Sequence, residues 1–182
     1  MKIYEITNEG ESTKYCNPQL MGSWFHEPLF MNWWDDRTIS RPVTMSVNNK
    51  YKPEDYPIAR TKLVSKKLLE IIKTLNRNYE ALPTQMYYKA KEPIWDIYYS
   101  MLFPGYELLN WEKSKYEADE ERIIMSLDKL VISKGKLAAL SLENNLFCLK
   151  ECQVFLLCTE KAKKTIEEAG TTGIAFDELE VL

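Results

Sequence analysis

The sequence predicts an α+β fold in which one mixed sheet carries two main amphipathic helices. Two segments support this prediction, because each has the pattern of a strand, a hydroxyl residue, a helix and a second strand. A shift of 94 positions takes the first hydroxyl residue, Ser65, to the second, Thr159. The same shift aligns the apolar stripes of the two helices: Leu68, Ile72 and Leu75 with Ala162, Ile166 and Ala169.

The second of these units has the clearest boundaries. Residues 154–158 form an apolar run of the length expected for a buried strand. Thr159 can then cap the helix, since its hydroxyl can accept a hydrogen bond from a free backbone N–H of the first turn. Gly170 is placed to end the helix in a left-handed conformation, and Gly173 turns the chain into a strand over residues 174–176.

The first unit has a strand over residues 58–64, a helix from Ser65 to about Arg77 and a strand over residues 84–88. The pattern does not decide whether the two units are a duplication or the common βαβ arrangement reached twice. Further strands are expected from alternation or short apolar runs at residues 2–7, 123–127, 129–132 and 146–149.

Length and composition favour one ordinary globular domain. The chain has 182 residues, of which 45% are hydrophobic and 28% charged. Residues 1–57 are expected to add a strand and an aromatic-rich irregular segment to a core formed by residues 58–182. No apolar run is long enough to span a membrane, and the N-terminus has no apolar signal region. A cytoplasmic location is therefore expected.

Neither catalysis nor a metal site is predicted. The sequence has six glycines and no phosphate-binding glycine motif, and its one histidine, His26, has no nucleophile motif near it. The four cysteines do not match a zinc pattern, and Cys148 and Cys158 lie in apolar strands. We therefore expect no enzymatic activity, no catalytic residues, no cofactor and no metal.

Charge is distributed unevenly along the chain. Residues 61–92 contain seven Lys and Arg against three Asp and Glu, whereas residues 93–182 contain ten against sixteen. This distribution is compatible with solvated helix faces, and also with an acidic surface that captures a basic partner. Nucleic acid is not an expected partner, because no basic stripe is interleaved with aromatic residues.

An aromatic cluster marks the irregular N-terminal segment. Its members are Trp24, Phe25, Phe30, Trp33 and Trp34. Such a cluster is typical of a satellite core under a loop region, and it can also form a partner surface, since tryptophan is a common interface anchor.

An ordered series of segments resembles a bacterial immunity-protein family. The segments are residues 110–116 (NWEKSKY), 123–132 (IIMSLDKLVI), 146–147 and 167–176 (EEAGTTGIAF), with residues 63–68 matching the family's first unit. This is the group once filed as domain of unknown function 1629 and now placed with immunity families eleven and forty-three of polymorphic toxin systems. The resemblance covers residues 58–180. Asn110 departs from it, because aspartate is common at that position.

The resemblance implies a small cytoplasmic protein that binds a cognate toxin domain and blocks it by occlusion, without chemistry of its own. Candidate contact residues are the aromatic side chains of Trp95, Tyr98, Tyr99 and Trp111, with steering by Glu117, Asp119, Glu120 and Glu121. The alternative is that the aromatic side chains pack in the core and the acidic residues form a solvated loop.

Two other function classes remain open from the sequence. One is a small-molecule or regulatory binding module that uses the aromatic residues as a ligand cleft. The other is a hydrolase with an unrecognised site, which would depend on His26 or on one of the adjacent carboxylate pairs.

Overall fold

The computed structural model describes residues 1–9, 18–21, 43–57, 59, 61–118, 124–140 and 143–182. Within these ranges the chain forms two five-stranded mixed sheets, two two-stranded sheets and three helices. The α+β class is therefore confirmed, although the strands are divided between two main sheets where one was expected. The aromatic cluster of residues 24–34 and His26 lie outside the described residues.

The first main sheet contains β1 (Ile3–Asn8), β7 (Gly105–Tyr106), β11 (Leu146–Leu149), β12 (Cys152–Thr159) and β13 (Ile174–Glu178). Its order is β13–β1–β12–β11–β7, and only the β11–β7 pair is parallel. The N-terminal strand β1 thus lies inside the sheet, between β12 and β13, the two strands of the C-terminal unit. These strands were all expected from the sequence except β7.

The second main sheet contains β2 (Gln19–Leu20), β3 (Val43–Val47), β4 (Lys62–Val64), β5 (Glu80–Tyr88) and β6 (Glu92–Leu102). Its order is β2–β3–β5–β6–β4, with one parallel pair, β3–β5. The two strands of the first strand–cap–helix–strand unit, β4 and β5, belong to the second sheet, and the two strands of the other unit, β12 and β13, belong to the first. The two units therefore do not share the single sheet that was predicted.

The remaining elements are two short strand pairs and three helices. Strand β8 (Lys115–Ala118) pairs with β9 (Ile124–Lys129), and β10 (Val131–Ile132) pairs with β14 (Glu180–Val181). The helices are α1 (Lys66–Leu75), α2 (Lys134–Ala139) and α3 (Glu160–Glu168). Helix α2 was not predicted. None of the described helices is long and apolar enough to cross a membrane.

Both predicted caps are confirmed. The Ser65 hydroxyl accepts from the Leu68 N–H, and the Thr159 hydroxyl accepts from the Ala162 N–H. The apolar stripes are buried as expected except at Ala169, which is exposed. The reason is that α3 ends one residue earlier, at Glu168, before Gly170 takes a φ of 60°.

Three apolar clusters form the core. The first, which we call the central core, packs helices α1 and α3 against one face of each main sheet. Its members include Ile72, Ile166, Met101, Leu156 and Phe103. The second covers the opposite face of the first sheet, and the third covers the opposite face of the second sheet. Because successive side chains of a strand point to opposite faces of its sheet, neighbouring residues belong to different clusters.

Two matched hydrogen-bonded junctions hold helices α1 and α3. At the first, the Asp55 carbonyl oxygen accepts from the Ser65 backbone N–H (2.8 Å), and Asp55 Oδ1 accepts from the Ser65 hydroxyl (2.5 Å). At the second, Asn145 accepts in the same way from the Thr159 N–H (3.0 Å) and the Thr159 hydroxyl (2.9 Å). The same pair of bonds therefore fixes the N-cap of α1 and the N-cap of α3.

Each junction also binds the far end of the other helix. Asp55 Oδ2 accepts from the Thr172 N–H, just beyond α3, and Asn145 Nδ2 donates to the Leu75 carbonyl at the end of α1. Asn76, the C-cap of α1, donates to the Leu146 carbonyl and accepts from the Leu146 and Asn145 N–H groups. The two helices therefore lie antiparallel, with their ends joined pairwise.

We predict that Asn76→Ala lowers the free energy of unfolding by about 3 kcal/mol, because it leaves buried backbone donors without an acceptor. The matched control is Asn78→Ala, since Asn78 is exposed and two residues away; it should change stability by less than about 0.5 kcal/mol. Urea unfolding measures both. Equal stabilities of the two variants would contradict the role given to the junction.

Titratable groups are also buried in the central core. Burial raises the pKa of the Cys148 thiol to about 11 and that of the Cys158 thiol to about 12. Burial lowers the pKa of the Lys62 amine, whose Nζ donates to the Gln153 carbonyl at 3.0 Å and so links β4 to β12. In every case burial disfavours the charged form.

These shifts predict a loss of stability at alkaline pH. A buried thiol contributes full stability below its unfolded pKa of about 8.5, and that stability is lost as the pH rises towards the folded pKa. The Lys62 amine acts in the opposite direction, because its neutral form is favoured in the folded state. Between pH 8 and 10, the free energy of unfolding of Cys158→Ala should therefore fall by about 2 kcal/mol less than that of the parent chain. Parallel curves of unfolding free energy against pH would contradict this.

Candidate functional site

The candidate contact residues lie in two separate places. Trp95, Tyr98 and Tyr99 belong to β6 of the second sheet, whereas Trp111 and Glu117 lie at the β8–β9 pair. Asp119, Glu120 and Glu121 lie outside the described residues, and the same is true of the Trp95 side chain. The structure therefore does not bring the predicted residues together on one surface.

Tyr98 and Tyr99 point to opposite faces of the second sheet. Tyr98 is 3% exposed, packs in the third cluster and donates its hydroxyl to the Pro53 carbonyl at 2.8 Å. Tyr99 is half-buried against the central core. Strand alternation imposes this separation. The geometry favours the core-packing alternative for both side chains.

The β8–β9 pair, which we call the acidic ribbon, belongs to neither main sheet. Its two strands pair with each other, and a register shift after Glu117 and another after Lys115 make the pairing irregular. A two-stranded ribbon is marginally stable alone, so it needs packing from outside. Trp111 supplies it: its ring meets the Tyr116 ring edge to face at 5.1 Å, and it packs on the second cluster.

Asn110 lies in the turn that precedes the ribbon. Its Oδ1 accepts from the Lys113 N–H, and its backbone N–H donates to the Val131 carbonyl. Aspartate would supply the same acceptor oxygen at this turn. The departure of Asn110 from the resembled pattern therefore changes a turn residue without removing the acceptor that the turn uses.

Charges are segregated along the acidic ribbon. Lys115 and Lys129 lie opposite each other at its open end, and both are paired: Lys115 with Asp128 at 3.1 Å, and Lys129 with Glu180 at 2.7 Å. Towards the turn, Glu117 is exposed and has no ion-pair partner among the described residues. The chain then continues with Asp119, Glu120 and Glu121. Among the described residues of the ribbon, both lysines are therefore paired, and Glu117 is the carboxylate without an ion-pair partner.

A cavity of about 400 Å³ lies beside β6, and we call it the bulge cavity. Its lining includes Lys52 and Pro53 from the connector after β3, Asp96 and Ile97 from β6, and Lys66 from the start of α1. Tyr98, a candidate contact residue, also lines the cavity, whereas the lysines and Ile97 were not predicted from the sequence. A readable signal existed, because Ser65 is followed by two lysines where acidic residues are favoured in a first helical turn.

No group of three His, Cys, Asp or Glu side chains in the described part of the chain is arranged to hold a metal ion. A comparison with family models and with curated proteins found no match to this chain.

Proposed function

We propose that this protein is a non-enzymatic immunity protein that binds a cognate bacterial toxin domain and blocks it by occlusion. The acidic ribbon is the proposed contact surface, and the toxin surface that it covers is basic. The resemblance of residues 58–180 to the immunity family supplies the class of partner, and the ribbon supplies the place and the sign of the charge.

The segregation of charge along the acidic ribbon carries this proposal. Ion pairs occupy Lys115 and Lys129, so the lysines of the ribbon do not cancel the acidic residues nearer the turn. Glu117 is left exposed, next in sequence to three further carboxylates between residues 119 and 121. With Arg122 included, residues 117–122 carry four acidic residues against one basic residue. An excess of negative charge raises the rate of encounter with a positively charged surface.

The packing at the base of the ribbon suits a binding surface. Trp111 and Tyr116 lie in edge-to-face contact, and Ile124 and Leu127 pack on the same apolar cluster as Trp111. These contacts fix the ribbon before a partner arrives, which lowers the ordering cost of binding. Trp111 is only half-buried, so part of its ring remains available as an interface anchor.

The first test is co-expression with the product of the adjacent gene. We expect that product to be toxic, and we expect this protein to restore growth and to co-purify with it. A toxic product that is neither bound nor neutralised by this protein would contradict the proposed function. A toxin that is neutralised through binding supports it.

The second test locates the contact. Glu117→Lys should reduce the association rate with the toxin about five-fold at low ionic strength, and the difference should shrink as salt is added. The matched control is Glu168→Lys, which makes the same charge change at an exposed position on α3. Stopped-flow association kinetics measure both variants. Equal rates for the two would show that the ribbon is not the contact surface.

A further inference from the structure

The bulge cavity has a feature that the acidic ribbon lacks, which is an exposed apolar side chain among lysines. Ile97 is 47% exposed and lines the cavity together with Lys52, Lys66 and Lys67. A single exposed apolar side chain is common at protein surfaces, so Ile97 indicates a site here only together with the lysines around it.

The exposure of Ile97 follows from an irregularity in β6. Thr84 of β5 pairs with Tyr98, and Met86 pairs with Ile94, so a single β5 residue lies opposite the three β6 residues 95–97. The Gln85 side-chain amide fills the gap by donating to the Met86 and Ile94 carbonyls. A bulge of this kind redirects side chains, and here it leaves Asp96 and Ile97 exposed.

The lysines at the start of α1 depart from the pattern of the matched helix. Glu160 is the first residue of α3, where its carboxylate suits the positive end of the helix dipole. Lys66 takes the equivalent position in α1, and Lys67 follows it. The Lys67 charge is paired, because its Nζ lies 3.8 Å from Asp55 Oδ2, and the same Nζ donates to the Gly170 carbonyl at 2.6 Å. Lys66 has no ion-pair partner among the described residues.

The carboxylates in the cavity do not balance these lysines. Asp55 keeps its negative charge while it accepts hydrogen bonds from Ser65 and Thr172, and its Oδ2 lies 3.8 Å from the Lys67 Nζ. Asp96 is the other acidic residue in the lining, so three lysines face two carboxylates and Lys52 and Lys66 face Asp96 alone. The cavity is therefore positively charged overall, with Ile97 as its exposed apolar residue.

The edge of β6 beside the bulge cavity is paired with another strand only in part among the described residues. Strand β4 pairs only with the β6 residues Tyr99 to Met101. On that side of β6, no strand in the described part of the chain pairs with Asp96 or Ile97. An extended segment can therefore lie across the bulge cavity, with its side chains alternating between the lysines and Ile97.

We propose that the bulge cavity is a docking site for an extended acidic segment of a protein partner. In this arrangement a carboxylate of the segment meets Lys66 and Lys52, and an apolar side chain one position away packs on Ile97. The site is separate from the acidic ribbon and selects the opposite charge. This proposal does not depend on the identity of the toxin, and its test requires no toxin.

The experiment uses the full chain and two synthetic peptides, acetyl-Glu-Leu-Glu-Leu-Glu-amide and its glutamine counterpart. Binding is followed by two-dimensional NMR of the backbone amides and by fluorescence anisotropy of the labelled peptides. We expect the acidic peptide to shift the signals of Lys52, Lys66 and Ile97, and to bind at least ten-fold more tightly than the glutamine peptide.

Two variants and one control test the named residues. Lys66→Glu and Ile97→Asp should each weaken binding of the acidic peptide about ten-fold. The control Lys161→Glu makes the same charge change in the first turn of α3, the matched helix, and should leave binding unchanged. Equal losses for Lys66→Glu and Lys161→Glu would overturn the proposal.

Small anions provide the remaining arms of the test. Inorganic phosphate or free glutamate that reproduced the full pattern of NMR shifts at the peptide's affinity would overturn the docking of a segment, since a small-molecule site would then explain the cavity. Absence of any shift with the acidic peptide at millimolar concentration would also overturn it. Weak shifts with the small anions and strong shifts with the peptide support the proposal.

Discussion

The fold depends on two junctions that use the same hydrogen bonds. Asp55 fixes the start of α1 and binds Thr172 beyond the end of α3, while Asn145 fixes the start of α3 and binds the Leu75 carbonyl at the end of α1. These bonds satisfy the free backbone groups of helix ends without water, so both helices can be buried against the central core. Gly173 completes the first junction, because a Cβ there would lie 2.7 Å from the Tyr56 carbonyl oxygen.

The two junctions differ in their surroundings. Asn76 and Thr159 at the second junction are buried and hydrogen-bonded, so their loss damages the fold. The first junction also borders the bulge cavity, because Asp55, Ser65 and Thr172 line it. The acidic ribbon and the bulge cavity lie at places where the structure leaves charge unbalanced: the ribbon around Glu117 and the cavity around Lys66. Charged surfaces of this kind set the rate of encounter and the specificity of recognition more than the affinity.

Local signals in the sequence predicted the two strand–cap–helix–strand units correctly, because caps, glycines and apolar spacing act over a few residues. The division into two sheets could not be predicted, because it depends on pairing between strands far apart in sequence, such as β1 with β12 and β13. Helix α2 was missed because it is short.

Of the candidate site residues, Glu117 lies on the acidic ribbon and Trp111 packs against the ribbon residue Tyr116. Because side chains alternate along β6, Tyr98 and Tyr99 point to opposite faces of the sheet, and Tyr98 lies in the core. The bulge at residues 95–97 depends on pairing with β5, which the sequence does not display.

The central claim is that the acidic ribbon contacts the partner while the junctions only hold the fold. Hydrogen–deuterium exchange of this protein, free and bound to the product of the adjacent gene, tests that claim most directly. The account predicts slower exchange on binding in Lys115–Ala118 and Ile124–Lys129, with α1 and α3 unchanged. Protection confined to the helices or the sheets, with the ribbon exchanging as fast as in the free protein, would contradict it.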